Sequence, residues 1–214
     1  MLNDNQETTN NIEIRGVISS DFVFSHEVYG EGFYNFMVGS ARLSESVDLL
    51  PVTISERLIS GMDLMQGDFI DIRGQVRSYN SYIQEERRNR LLITIFAREI
   101  EVLDPENISP KNPNNVFLDG FICKKPVFRE TPFGREIADV LLAVNRSYNK
   151  SDYIPCICWG RNARFAGNLN ISDNVRIGGR LQSRVYQKKY DDGSVVEKSA
   201  YEISISKIEL VKEE

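Results

Sequence analysis

Apolar and polar residues alternate at every second position over most of the chain, which is the period of half-buried strands. In the second half, residues 116–124, 136–146 and 153–160 predict three strands, with TPFG at 131–134 turning the chain between the first two. Residues 162–168 are different: Ala163 and Ala166 are spaced for about two turns of helix. Residues 175–185 alternate Val, Ile, Gly and Leu, and YDDG at 190–193 predicts a hairpin tip before a last strand over 199–211. That last strand changes phase. Tyr201, Ile203 and Ile205 share one face while Ile208 and Leu210 fall on the other, which predicts a bulge or bend near Ser206.

The first half repeats this pattern. Shifted by 104 residues, IEIRGVI (12–18) lies over VFLDGFI (116–122), and Gly16, Phe24, Gly30, Arg42 and Pro51 fall on Gly120, Phe128, Gly134, Arg146 and Pro155. Shifted by 105, DFIDIRGQVRS (68–78) covers DNVRIGGRLQS (173–183). An ordered set of this kind predicts a tandem repeat of one small fold. LDPENISPKNPNN (103–115), rich in Pro, Asn and acidic residues, separates the copies. The expected domains are 10–103 and 115–212, with 104–114 as linker. Three strands, a short helix and two strands predict an all-β chain of two five-stranded barrels of the oligonucleotide-binding type. A flat sandwich has the same alternation and stays open at this point.

The repeat tests the direction of the aromatic residues. In LLPVTIS (49–55), Leu50, Val52 and Ile54 form the aliphatic core face. Carried over, the core face of the matching strand is Ile154, Cys156 and Cys158, and the outer face is Tyr153, Pro155, Ile157 and Trp159. Tyr148, Tyr153, Trp159 and Tyr186 thus stand where the first copy has Ser44, Leu49, Ser55 and Ser81. A barrel interior that needed this bulk would need it in both copies, so the four rings are expected on the outside. Exposed rings interleaved with cations suit a single nucleic-acid strand, whose bases stack while Lys and Arg follow the phosphates. Candidate phosphate contacts are Arg129, Arg135, Arg161, Arg164, Arg180, Arg184, Lys188 and Lys189.

Charge sharpens this picture. The chain carries a net −5, but residues 1–114 hold 10 Lys/Arg against 18 Asp/Glu, and residues 115–212 hold 16 against 11. The aromatic copy is the basic one, and fields act locally. Within the acidic copy, Tyr79, Tyr82, Arg87, Arg88 and Arg90 form a possible weaker arm, in competition with Glu85 and Glu86. Three cysteines, an N-terminus lacking a basic and apolar leader, and no membrane-length apolar run predict a cytoplasmic protein. Cys156 and Cys158 do not make a zinc site, because the sole histidine, His26, lies in the other copy; both read as small buried hydrophobes. Asp191 and Asp192 belong to a turn, Gly178-Gly179 to a strand needing close approach, and neither marks catalysis. No enzyme, metal or cofactor is expected.

The second copy resembles the bacterial single-stranded DNA-binding protein family over about 100 residues, through NNVFLDGFICKKPVFRETPFGREIADVLLAVNR, YIPCICWGRNARFAGN, VRIGGRLQSRVYQKKYDDG and SAYEISISKIEL. The resemblance implies base stacking on Tyr148, Tyr153, Trp159 and Tyr186, and nonspecific binding and protection of single-stranded DNA, or RNA, in replication, repair and recombination. It also implies assembly of four barrels, here as a homodimer. The first copy lacks the aromatic set, and VKEE follows the last strand where the family carries a long tail with an acidic tip, so recruitment of enzymes through such a tail is not implied. The alternative reading is a protein-docking, primosome-like accessory module whose aromatic face meets a partner chain.

Overall fold

The computed structural model describes residues 9–42, 44, 46–83, 88–104, 114–190 and 193–211; from 82 to 89 no side chains are described. The first copy contains β1 (Asn10–Ile18), β2 (Val23–Val28), β3 (Glu31–Ala41), β4 (Val47–Ser55), the single turn α1 (Glu56–Ile59), β5 (Phe69–Ile83) and β6 (Arg88–Val102). The second contains β7 (Asn114–Ile122), β8 (Val127–Glu130), β9 (Glu136–Arg146), β10 (Lys150–Trp159), α2 (Arg161–Gly167), β11 (Asn174–Lys189) and β12 (Val195–Leu210). Pairing closes each copy: β1 meets both β3 and β5, and β6 returns parallel to β4 at Val52↔Ile95. The second copy closes identically, with β12 parallel to β10 at Cys156↔Ile203. Closure excludes the flat sandwich and leaves two tandem barrels of the oligonucleotide-binding type.

The expected strands are present with small shifts of their ends. The short β2 and β8 were not legible because every residue in them is exposed, so no burial alternation marks them. The expected linker loses its last residue to β7, where Asn114 is buried; residues 105–113 lie outside the described residues. The core faces are as read: Leu50, Val52 and Ile54 in one barrel and Ile154, Cys156 and Cys158 in the other are buried.

The phase change in the last strand has the expected cause. Gly178 pairs with Lys207 and Gly179 with Ile205, so Ser206 is the extra residue of a bulge, and its hydroxyl donates to the Gly178 carbonyl (3.1 Å). Arg98 is bulged in the same way between Glu99 and Ala97, opposite Arg73 and Gly74. At both bulges the crossing backbone leaves no room for a side chain: a Cβ on Gly74 would run into the Phe96 carbonyl, and one on Gly179 into that of Ser204. This is why both strands carry glycine there.

The barrels are joined by backbone and by buried charge. β1 and β7 pair antiparallel through Ile12↔Val116, making one sheet that passes through both barrels. Asn10 closes a two-bond latch on Val76, and Asn114 closes the same latch on Leu181. On each side of this junction a buried aspartate crosses from one barrel to the other. Asp152 of β10 accepts from Ser78 N (2.8 Å) and Arg77 (3.0 Å) of β5, with Arg146 alongside (3.5 Å). Asp48 of β4 accepts from Ser183 N (2.8 Å) on Oδ1 and from Arg180 (3.1 Å) of β11 on Oδ2, with Arg42 forked onto both oxygens (2.7 Å to Oδ2). Arg77 pairs with Gln75, whereas Arg180 pairs with Gln182, so the arginine and glutamine have exchanged places between copies.

Burial pushes the Asp48 carboxyl up, but hydrogen bonds from Arg42 and Ser183 and the charges of Arg42 and Arg180 outweigh it, leaving Asp48 below its ordinary 3.8. A lowered folded value stabilises the fold above the ordinary one, and that contribution is lost as pH falls through the lowered one. Acid titration of the tertiary signal is therefore expected to show a loss beginning below about pH 4 that is absent from Asp48→Asn. At neutral pH the same variant should lose about 3–5 kcal/mol in denaturant unfolding, since it leaves two arginines without their buried counter-charge. Gly179→Ala should lose about 1–3 kcal/mol by the same measurement, because the backbone at the bulge must move to admit a methyl group.

Candidate nucleic-acid interface

β10 presents its two large rings because its other face fills the barrel. Tyr153, level with Ala143, and Trp159, level with Ile137, are 45% and 42% exposed, against 0–3% for Ile154, Cys156 and Cys158. Ile157, expected on the outer face with them, is buried: it lies between Asp139 of β9 and Ser204 of β12, with a strand on each side. Trp159 has no structural duty corresponding to that of Ser55, which caps α1 by accepting from Arg57 N. α2 begins instead at Gly160, whose positive φ (51°) provides the turn without a side-chain cap.

Tyr148 sits in the turn between β9 and β10. It and Asn149 both hold left-handed backbones (φ 64° and 54°), and the Tyr148 ring is 94% exposed. A bulky residue in this region is strained by roughly 1 kcal/mol or more, and packing of the ring does not offset it here. Tyr186 is half-buried on the outer face of β11, with the Arg184 guanidinium 5.8 Å from its ring centre. Register sets their relative positions: Tyr186 is level with Lys198, and Cys156 with Ile203. Tyr148, Tyr153 and Tyr186 thus gather at one end of the barrel, with Trp159 about 20 Å further along β10.

The expected phosphate contacts divide by their partners. Arg161 at the start of α2, Arg135 in the first hairpin turn and Lys189 at the end of β11 are exposed. Arg184 and Lys188 lie over the rings of Tyr186 and Tyr190. Arg129 is forked onto Asp139 (3.0 and 3.2 Å), and Arg164 is held by Glu136 (2.6 Å), whose hydrogen bond raises the guanidinium's pKa. Arg180 is committed to Asp48 across the barrel junction, a partner 132 residues away that the sequence pattern could not reveal.

In the arm of the first barrel, Tyr79 is half-exposed and Arg90 donates to the Ser199 carbonyl of β12 (2.8 Å). Arg87 lies outside the described residues, as do the side chains of Tyr82 and Arg88, and Asp191 and Asp192 at the tip of the second barrel's hairpin. His26 is exposed on β2 and stacks on Phe33 (centroids 5.0 Å). Burial pushes the Cys158 thiol up to about 12 and Cys156 well above its ordinary value, which suits small core residues and not thiolate ligands. Among the described residues no group of three or more His, Cys, Asp or Glu is placed to hold a metal ion, and no helix is long and apolar enough to cross a membrane.

A residue group that sequence reasoning missed lies where the barrels meet. Arg77, Arg98, Arg146 and Lys150 line a cleft of about 670 Å³ together with Phe96, Tyr79 and Tyr148. Tyr148 was expected as a stacking ring and Tyr79 as part of a weaker arm; of the other members, Arg146 alone left a signal in the sequence, through its match to Arg42.

Two closed barrels, each with a short helix after its β4 or β10 strand, and an outer face of rings and cations on the second, define a tandem oligonucleotide-binding-type protein. The chain is similar to the single-strand binding protein family through its second barrel, the family's model matching residues 113–211. Over 83 residues it is 36% identical to single-stranded DNA-binding protein A of Bacillus subtilis and to single-stranded DNA-binding protein 1 of Staphylococcus aureus; each match covers 36% of this chain. The chain spans about half the length of these relatives, 48% and 50% respectively. In fold it is similar to the wild-type single-stranded DNA binding protein from Thermus aquaticus, with a TM-score of 0.75 at 18% identity, over 96% of this chain and 94% of that one.

Because Trp159 is substantially exposed and caps nothing, Trp159→Ala is expected to change unfolding free energy by less than about 1 kcal/mol. Denaturant unfolding followed by circular dichroism measures this; a loss of several kcal/mol would mean that the indole supports the barrel.

Proposed function

We propose that the protein binds and protects single-stranded DNA without sequence preference and without catalysis, in replication, repair and recombination, and that the second barrel is the principal binding domain. The observation that carries this reading is the outer face of β10 and its neighbours, where Tyr153, Trp159 and Tyr186 are only partly covered and Tyr148 is exposed. Bases stack on these rings, and phosphates meet Arg135, Arg161, Arg184, Lys188 and Lys189. Arg129 and Arg164 join them by exchanging their carboxylate partners for phosphate. Arg180 acts at the barrel junction instead. Stacking reads no base edge, so discrimination among sequences is slight, and RNA is a weaker version of the same ligand.

Four barrels are reached by a homodimer. Phe117 and Phe121, 41% and 42% exposed on the outer face of the sheet that runs through both barrels, support a second copy packing there. Solution mass is expected to be twice that of the 24.5 kDa chain.

Titration with oligothymidine is expected to quench Trp159 emission and to reverse on adding salt, with log affinity falling by about 0.7 per phosphate contact for each unit of log salt. Trp159→Ala should weaken binding by roughly 1–3 kcal/mol. Duplex DNA bound as tightly as the single strand would reduce the reading to general electrostatics. Absence of nucleic-acid binding, with a salt-insensitive protein partner on the same face, would favour an accessory docking module.

A further inference from the structure

The acidic first barrel carries a concentrated positive site at its junction with the second. Arg77 and Arg98 come from β5 and β6, Arg146 and Lys150 from β9 and β10, and all four line one cleft of about 670 Å³. Among the described residues no Asp or Glu lines it. Asp152, the carboxylate that binds the cleft's Arg77, is 1% exposed and also accepts from Ser78 N, with Arg146 alongside. One buried negative charge under four cations leaves an excess of about three, and low-dielectric walls concentrate such a field. Burial and the like charges of Arg146 and Arg98 lower the Arg77 pKa, as mutual repulsion requires.

The cleft also has an aromatic wall. Phe96 packs on Phe33 (centroids 5.8 Å), which stacks on His26, and the guanidinium groups of Arg77 and Arg98 each lie 5.8 Å from the Phe96 ring centre. Tyr79 (49% exposed) and Tyr148 (94% exposed) complete it from the two barrels. Arg98 is the extra residue of the β6 bulge, and bulges re-aim side chains in this manner.

The opposite junction, around Asp48, provides a control. Register and the repeat match Phe96 to Ser204, Arg98 to Ser206, Tyr79 to Arg184, Tyr148 to Ser44, Lys150 to Ser46 and His26 to Glu130. The buried aspartate clamp exists on both sides, so the clamp does not require the rings and the additional cations. Phe96, Arg98 and Lys150 in particular are replaced by serines on the Asp48 side, so their combination is peculiar to this cleft.

We infer that the junction cleft is a nucleotide subsite shared by both barrels: a base lies against Phe96 and Tyr79, its phosphates meet Arg98, Arg146 and Lys150, and a strand leaving Tyr148 continues onto the first barrel. The inference rests on the reading of the protein as a single-strand binder and names where that strand goes next. Its dimensions fit, since pockets for compact ligands measure about 300–1,000 Å³.

The test uses the full chain and two lengths of oligothymidine: about 8 nucleotides, within one barrel's reach, and about 30. Arg98 and Lys150 are exposed, so Arg98→Gln/Lys150→Gln retains the fold. It is expected to bind the long strand about tenfold more weakly, with a salt slope smaller by about 1.4 and a shorter occluded length, while binding the short strand as the parent does. Trp159→Ala is expected to weaken both lengths. Wild-type affinity, slope and occluded length for the double variant would overturn the junction subsite while leaving the function intact; failure of the parent chain to bind either length would overturn both. Photocrosslinking the long strand through 5-iodouracil gives a second measurement. Attachment at Tyr79 or Phe96 supports the subsite, and attachment confined to the rings of the second barrel rejects it.

Discussion

The arrangement depends on two buried aspartates that each belong to one barrel and are satisfied by the other. Asp48 and Asp152 are both 1% exposed, and each accepts a backbone N–H and an arginine from across the junction. Removing a carboxylate from water costs several kcal/mol, and the attraction to arginine recovers it only when geometry and hydrogen bonding are complete. The clamps therefore contribute little net cohesion. What they impose is register: sliding β4 or β10 against the opposite barrel by one residue would leave a buried charge unpaired. Cohesion comes from the β1–β7 ladder and from buried aliphatics such as Ile12 and Val116 at its centre.

That register fixes the course of the candidate binding surface. Asp152 precedes Tyr153, whose backbone N–H donates to the Ser78 hydroxyl of the first barrel (2.7 Å). The first ring of β10 is thereby attached to its neighbour's β5, and the turn carrying Tyr148 is brought over the cations of that strand. Repetition of the fold supplied two such junctions, and divergence of outward residues made them unequal. Core positions such as Val76 and Leu181, or Gly74 and Gly179, have little freedom to diverge because volume and backbone approach restrict them. Outer positions such as Leu49 and Tyr153, both about half-exposed, have no comparable restriction.

Legibility in the sequence follows the same division. Alternation revealed the core faces, the bulge at Ser206 and the buried roles of Cys156 and Cys158, because local period and barrel packing share one cause. It could not reveal partners far apart in the chain. Arg180 read as a phosphate contact because Asp48 lies 132 residues away, and Ile157 read as exposed because its cover comes from both neighbouring strands. β2 and β8 left no pattern because neither side of them is buried. The junction cleft was hidden for a further reason: its cations come from four strands, and two of those strands belong to the copy whose composition is acidic.

Net charge is a poor guide to such a molecule. The total of −5 and the acidic first half would together predict weak attraction to a polyanion. At about 0.15 M salt, however, a charge is felt only over roughly 8 Å, so a strand on the second barrel responds to its local cations and not to the distant carboxylates. Acidic surface elsewhere on the first barrel then has an effect of its own. On the reading of the junction as a subsite, it disfavours paths over that surface and leaves the stretch lined by Arg98, Arg146 and Lys150 as the favoured one, so that a barrel with net negative charge would confine the route without itself being broadly attractive.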